Sequence, residues 1–94
     1  MSVVVKVFTH PACPRCGNAV RTLWEANERE PGRFRYETVS LTDKAGLDAA
    51  HAAQVRTIPT LIFSVGGQEV QRIVGAPAAD ALERTLEQAE RQRE

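Results

Sequence analysis

Apolar residues in this chain fall into two alternating kinds of pattern. Short β-branched or aromatic runs are separated by stretches in which apolar positions recur every three or four residues. Val3-Val4-Val5-Lys6-Val7-Phe8 predicts a short buried strand. Thr9-His10-Pro11-Ala12 leads out of it as a loop. Ala19, Val20, Leu23 and Trp24 then recur at helical spacing. They predict a first helix with Cys13 as N-cap, Pro14 at its first position and Pro31-Gly32 as its stop. From Phe34 to Leu41, Phe34, Tyr36, Thr38 and Ser40 alternate with Arg35, Glu37, Val39 and Leu41, which predicts a second strand.

Thr42-Asp43 offers an N-cap for a short Ala-rich helix through Ala53, with Leu47 and Ala50 inward and Gly46 as a weakness. Thr60-Leu61-Ile62-Phe63-Ser64-Val65 predicts a third strand. Gly66-Gly67 is a hairpin turn signal, and Glu69 to Val74 is the fourth strand, antiparallel to the third. Gly75-Ala76-Pro77 opens a last helix with Ala78, Leu82, Leu86 and Ala89 on one face. The order βαβαββα predicts an α/β fold. A right-handed βαβ unit and a hairpin form a four-stranded mixed sheet, with helices on both faces.

Composition narrows the function. The chain has 94 residues, enough for one domain with a modest core. Lysine plus arginine and aspartate plus glutamate number 12 each, so formal net charge is zero. Bulk electrostatics therefore argue for neither nucleic acid nor anionic membrane as partner. No apolar run has the length of a membrane span. The N-terminal run lacks the basic segment and cleavage site of a signal peptide. A cytoplasmic monomer is the expectation.

The two cysteines, Cys13 and Cys16, lie together as Cys13-Pro14-Arg15-Cys16 at the predicted head of the first helix. In a reducing compartment such a pair is more often catalytic or metal-binding than structural. A structural disulfide closing so short a loop would stabilise little. A zinc site needs about four ligands, and His10 with the two cysteines supplies at most three. Thiol–disulfide exchange is the remaining chemistry. Helix N-terminal amides, the macrodipole and Arg15 all favour a thiolate. Cys13 is therefore expected to titrate below the roughly 8.5 of a free thiol. Cys16, one turn further in, should be more buried and act as the resolving thiol.

The element order, the Cys-x-x-Cys and Thr57-Ile58-Pro59-Thr60 at the start of the third strand resemble the thioredoxin superfamily along essentially the whole chain. Phe8 to Cys16 is similar to the glutaredoxin active-site segment, where Cys-Pro-x-Cys is typical. Val55 to Phe63 and Val74-Gly75-Ala76 are nearer to thioredoxins. The size resembles that of small glutaredoxin-like thioredoxins, without the extra N-terminal strand and helix of larger ones. Thioredoxins usually carry Trp before the first cysteine and a buried acid in the first strand; the matching residues here are Ala12 and Val7.

The resemblance implies a cis Pro59 beside the cysteines, with the Ile58 backbone free to pair with an extended substrate. Pro14, Arg15, Thr57, Ile58, Pro59 and Gly75 are the expected substrate contacts, and no cofactor is implied beyond the dithiol. His10 donates to a substrate carboxylate, tunes Cys13 or is a solvated loop residue. Arg15 and Arg56 either make the site locally basic or are ordinary solvated cations. Trp24 is expected to be packing. The implied partners are disulfide-containing proteins or small thiols, with a flavoprotein reductase or glutathione as electron donor. A glutathione-dependent glutaredoxin and a binding module without turnover are the alternatives.

Overall fold

The computed structural model describes residues 2–92; Met1, Arg93 and Glu94 of the expected domain lie outside that range. The elements are β1 (Val3–Thr9), α1 (Cys16–Arg29), β2 (Phe34–Ser40), α2 (Lys44–Ala52), β3 (Thr60–Val65), β4 (Gln68–Val74) and α3 (Ala79–Arg91). The strands form one sheet in the order β2-β1-β3-β4. β1 pairs parallel with β2 and antiparallel with β3, and β3 pairs antiparallel with β4. This is the expected βαβαββα mixed sheet. Gly66 and Gly67, at φ 62° and 81°, make the β3–β4 turn. Two successive positive φ angles are what a type I′ hairpin turn needs, and glycine adopts them without steric cost.

The sheet's period of two divides its side chains between two unequal cores. Val3, Val5 and Val7 of β1 and Leu61, Phe63 and Val65 of β3 face α1 and α3. They pack there with Ala19, Leu23, Ala26, Phe34, Leu82, Leu86 and Ala89. Phe8 and Ile62 point the other way and meet Ala50 of α2, with Val39, Leu41, Val55 and Ile58 partly buried around them. Arg33, only 14% exposed, clamps the α1–β2 loop to α3. Its guanidinium donates to both Glu90 carboxylate oxygens at 2.9 Å and to Glu83 at 2.7 Å. The Glu90 hydrogen bond, and after it that to Glu83, holds the Arg33 pKa above its ordinary value against the opposing effect of burial.

Several local expectations are corrected. The first helix begins at Cys16 with Arg15 as N-cap, and not at Cys13. Cys13 to Cys16 is instead a tight turn, closed by the Cys16 N–H on the Cys13 carbonyl at 3.4 Å and covalently by a Cys13–Cys16 disulfide. The third helix begins at Ala79, so Ala78 is its exposed N-cap and not a core position. Leu47 is 52% exposed. α2 rests on the sheet through Gly46 and Ala50, and Leu47 lies about 100° around the helix from Gly46. Gly46 is required there: a Cβ would overlap the Ser40 carbonyl oxygen, while its N–H is capped by the Asp43 carboxylate at 2.7 Å.

Candidate active site

The site is assembled at one end of the sheet. β1 and β2 run parallel, and their carboxyl ends, Thr9 and Ser40, lie level with each other. Thr60 at the start of β3 pairs with Phe8, and Val74 at the end of β4 pairs with Thr60. The loops leaving these four positions carry the cysteines, Pro59 and Gly75. Loops at the carboxyl ends of parallel strands are the usual place for ligand chemistry in α/β sheets.

The turn before the cysteines is built on His10. Its carbonyl accepts the Cys13 N–H at 2.9 Å, and its ring Nδ1 accepts the Ala12 N–H at 3.0 Å. An accepting Nδ1 leaves the neutral ring's proton on Nε2. The sequence offers His10 as a substrate contact, as a group that tunes Cys13 or as a solvated loop residue, and the structure adds the closing of this turn. A histidine two residues before a backbone amide in a tight loop was the available signal. Beyond this turn the cysteines differ in access: Cys13 is partly exposed, and Cys16 is 4% exposed against the core. They are disulfide-bonded with Cα atoms 5.5 Å apart. Pro14 and Arg15 between them are exposed.

Pro59 follows a cis peptide bond from Ile58, as the motif implied. It is buried, Ile58 is half-buried and Thr57 is exposed. The Thr60 hydroxyl donates to the Thr57 carbonyl, which folds the loop over its own start. The Gly75 N–H donates to the Pro59 carbonyl at 2.7 Å and so ties the β4 end to the proline loop. Gly75 has φ 99°, and nothing lies within 4 Å of where a Cβ would be. Its conformation requires glycine; a close approach does not. Beside it Val74 is 62% exposed, an apolar side chain left in solvent at the edge of the site. Val7, where the resemblance looks for a buried acid, is a fully buried core valine.

The loop into Pro59 is held from behind. α2 ends with the Val55 N–H on the Ala50 carbonyl at 2.8 Å and the Gln54 N–H on the His51 carbonyl at 3.1 Å. This is a Schellman motif, with Gln54 at φ 57° in the position that favours glycine. Arg72 of β4 donates to the Ala53 carbonyl at 2.7 Å and to the Gln54 carbonyl at 3.4 Å, and Glu69 holds the same guanidinium at 2.8 Å. Glu69 is thereby kept below the ordinary carboxylate pKa and Arg72 above its own ordinary value. Arg56, the other cation expected at the site, is exposed.

Trp24 corrects the packing expectation. It is 53% exposed and lines an open groove of about 660 Å³ between α1 and β2. Val20 and Tyr36 form its walls with Trp24, and Cys16 and His10 border it at the cysteine end. The helical spacing of Val20 and Trp24 marked an apolar face correctly. What it could not show is that nothing among the described residues covers the far side of that face.

Residues 2–90 match the family model of the thioredoxin-like domain. A thioredoxin of Synechocystis sp. is 31% identical over 80 residues, covering 85% of this chain and 73% of that protein. Thioredoxin-2 of Saccharomyces cerevisiae is 61% identical over a shorter stretch of 33 residues, 34% of this chain and 32% of that protein. In three dimensions the chain is similar to the thioredoxin of Fasciola hepatica, with a TM-score of 0.80 at 24% identity over 94% of this chain and 81% of that one.

Proposed function

This chain belongs to the thioredoxin-like family, and from that premise we propose that it reduces disulfides through the Cys13–Cys16 dithiol, with Cys13 as nucleophile and Cys16 as resolving thiol. The family and the cysteine pair make it a thiol–disulfide oxidoreductase. The observation that carries the finer assignment is the unequal access of the two sulfurs. A substrate disulfide reaches partly exposed Cys13 before it reaches buried Cys16.

In the reduced protein the Cys13 thiolate attacks one substrate sulfur. A Cys13–substrate disulfide forms as the substrate S–S bond breaks, and the first substrate thiolate leaves. Cys16, deprotonated, then attacks the Cys13 sulfur, closing the intramolecular disulfide and releasing the second thiolate. Two electrons pass from the dithiol to the substrate. A thiol donor must return them; a flavoprotein reductase is the proposed source, by analogy with the relatives named as thioredoxins, and glutathione is the alternative.

The backbone of Ile58 beside cis Pro59 offers an extended substrate a strand partner. The exposed Val74, with Pro14, Arg15, Thr57 and Gly75, would frame that contact. His10 positions the turn and is not asked to move a proton. The reading needs no metal or organic cofactor. It fits a cytoplasmic setting, where such a dithiol is kept reduced.

The test is turnover of an insulin disulfide with two donors in parallel: NADPH with thioredoxin reductase, and NADPH with glutathione and glutathione reductase. The expected result is activity in the first arm that Cys16→Ser abolishes. Activity only with glutathione would replace this reading with that of a glutaredoxin. Silence in both arms, with partner binding kept after both cysteines are changed to serine, would replace it with a binding module.

A further inference from the structure

The sheet has two edges, and they differ in how far they are committed. β4 spends its charges internally: Glu69 holds Arg72, and Arg72 reaches the end of α2. A register shift between Phe63 and Ser64 also breaks its ladder with β3, which bends that edge away from flat pairing. β2 pairs with β1 alone, residue for residue from Phe34 to Ser40, and no shift interrupts it. Its outer row of backbone N–H and C=O groups is an unbroken template for a further strand.

The side chains of β2 restrict what can pair there. Arg35 and Glu37 are exposed on the face turned away from the main core, one on either side of Tyr36. Arg35 has no ion pair among the described residues. Glu37 has only Lys6 at 3.9 Å, with both side chains about half exposed. A contact so long and so exposed contributes little and leaves the carboxylate free to accept. On the opposite face Tyr36 packs at the margin of the main core, where Val20 and Trp24 of α1 stand with it around the open groove.

Charges on a strand edge usually guard it against pairing. Here they select one register. A second copy that continues the sheet antiparallel is related by a two-fold axis, and one β2 residue meets its own counterpart on that axis. With Arg35 or Glu37 on the axis, like charges face each other. With Phe34 there, Arg33 faces Arg35. With Thr38 there, neither Arg35 nor Glu37 meets an opposite charge. With Tyr36 there, Arg35 faces the partner's Glu37 and Glu37 faces the partner's Arg35, two opposite-charge cross-strand pairs. The formal net charge of zero puts no overall repulsion between two copies.

We propose that β2 is a self-pairing edge, through which two copies of this chain join into one continuous sheet centred on Tyr36. The added strand, about 4.8 Å from β2, closes the open side of the groove and covers Trp24. Because the two β2 strands run antiparallel, the cysteine pairs lie at opposite ends of the joined sheet. The Pro59 and Gly75 loops, at β3 and β4, stand beyond β1 from the interface. Both sites stay open, so the pairing is independent of the oxidoreductase reading.

The test follows the oxidised chain, whose disulfide prevents thiol-linked dimers, by sedimentation equilibrium up to millimolar concentration. A reversible dimer is expected. The emission of Trp24, the only tryptophan, should shift to the blue as the dimer forms. Arg35→Glu and Glu37→Arg each turn both attractive pairs repulsive, and each should weaken dimerisation by about tenfold or more. Mixed together, these two variants are complementary again and should associate about as tightly as wild type. The double swap in one chain keeps the pattern complementary and should also dimerise. Arg84→Glu, the same charge change on α3, should leave the dimer unchanged.

A chain that stays monomeric at millimolar concentration, a dimer indifferent to Arg35→Glu, or a mixture no more associated than its components would each overturn the proposal. So would a dimer that leaves the Trp24 emission in place, or one weakened as much by Arg84→Glu as by Arg35→Glu. Arg35 and Glu37 are exposed, so their variants should fold, which thermal melting followed by circular dichroism checks.

Discussion

The two faces of the sheet do different work by different means. The face under α1 and α3 is closed by large apolar side chains: Phe63, Leu23, Leu61, Leu82 and Leu86 are fully buried there. The face under α2 has a small core of Phe8, Ile62 and Ala50, and relies on directional polar contacts for the rest. The Asp43 cap, the glycine contact at Ser40, the Schellman turn at Gln54 and the Glu69-held Arg72 all lie on this side. The first face carries the stability. The second aims the segment that runs from α2 into cis Pro59. A nonspecific apolar contact resists unfolding well but fixes a loop's path poorly, whereas hydrogen bonds have angular requirements.

Substitutions can break this contrast. The largest effect is expected from Phe63→Ala, which empties the main core and should cost about 3–5 kcal/mol in denaturant-measured stability. Gly46→Ala comes next. Helix propensity alone would make it stabilising by about 1 kcal/mol. The Ser40 carbonyl reverses the sign, and a loss of about 1–3 kcal/mol is expected as α2 is pushed off the sheet. Insulin reduction by the folded fraction should fall as well, since α2 leads into the Pro59 loop. A stabilised Gly46→Ala protein would show that α2 is not held where its contacts place it.

A smaller effect sharpens the comparison through pH. Glu69 is held below its ordinary pKa, chiefly by its hydrogen bond to Arg72. A carboxylate with a depressed folded pKa adds stability at pH above its unfolded value of about 4.3, and that stability is lost as pH falls through the lowered folded value. The melting-temperature gap between wild type and Glu69→Gln should therefore be present at neutral pH and close in acid. A gap constant with pH would mean the pair does not brace the α2 end. The smallest effect is expected at Gln54→Gly, which relieves a positive φ and should raise stability by about 0.5–1 kcal/mol, read from the same melts.

Much of this protein is legible one element at a time. The strand at 60–65 was expected and found with the same bounds, because a β-branched and aromatic run ending at Gly66-Gly67 has few other uses. Leu82, Leu86 and Ala89 are buried as their spacing required. The Cys13-Pro14-Arg15-Cys16 turn and Ile58-Pro59 were both recognisable as motifs. The helix starts at Cys16 and Ala79 were misplaced locally, whereas two side chains were misplaced because their neighbours come from elsewhere in the chain. Leu47 was placed inward by its own hydrophobicity, yet the rotation of α2 is set by Gly46 against Ser40. Trp24 was expected to pack because its helix is amphipathic, but the sheet ends at β2 and leaves it over an open groove.

By itself, then, the sequence determined the order of elements, the sheet's alternating faces and the presence of a redox pair. Those depend on local periodicity and on residue types with few alternative roles. Tertiary structure decided that His10 closes the turn before the cysteines, and that Arg72 from β4 caps the helix leading to Pro59. These contacts join positions brought together only by the paired strands and the turns between elements. Their energies depend on distance and direction in space, which spacing along the chain does not encode.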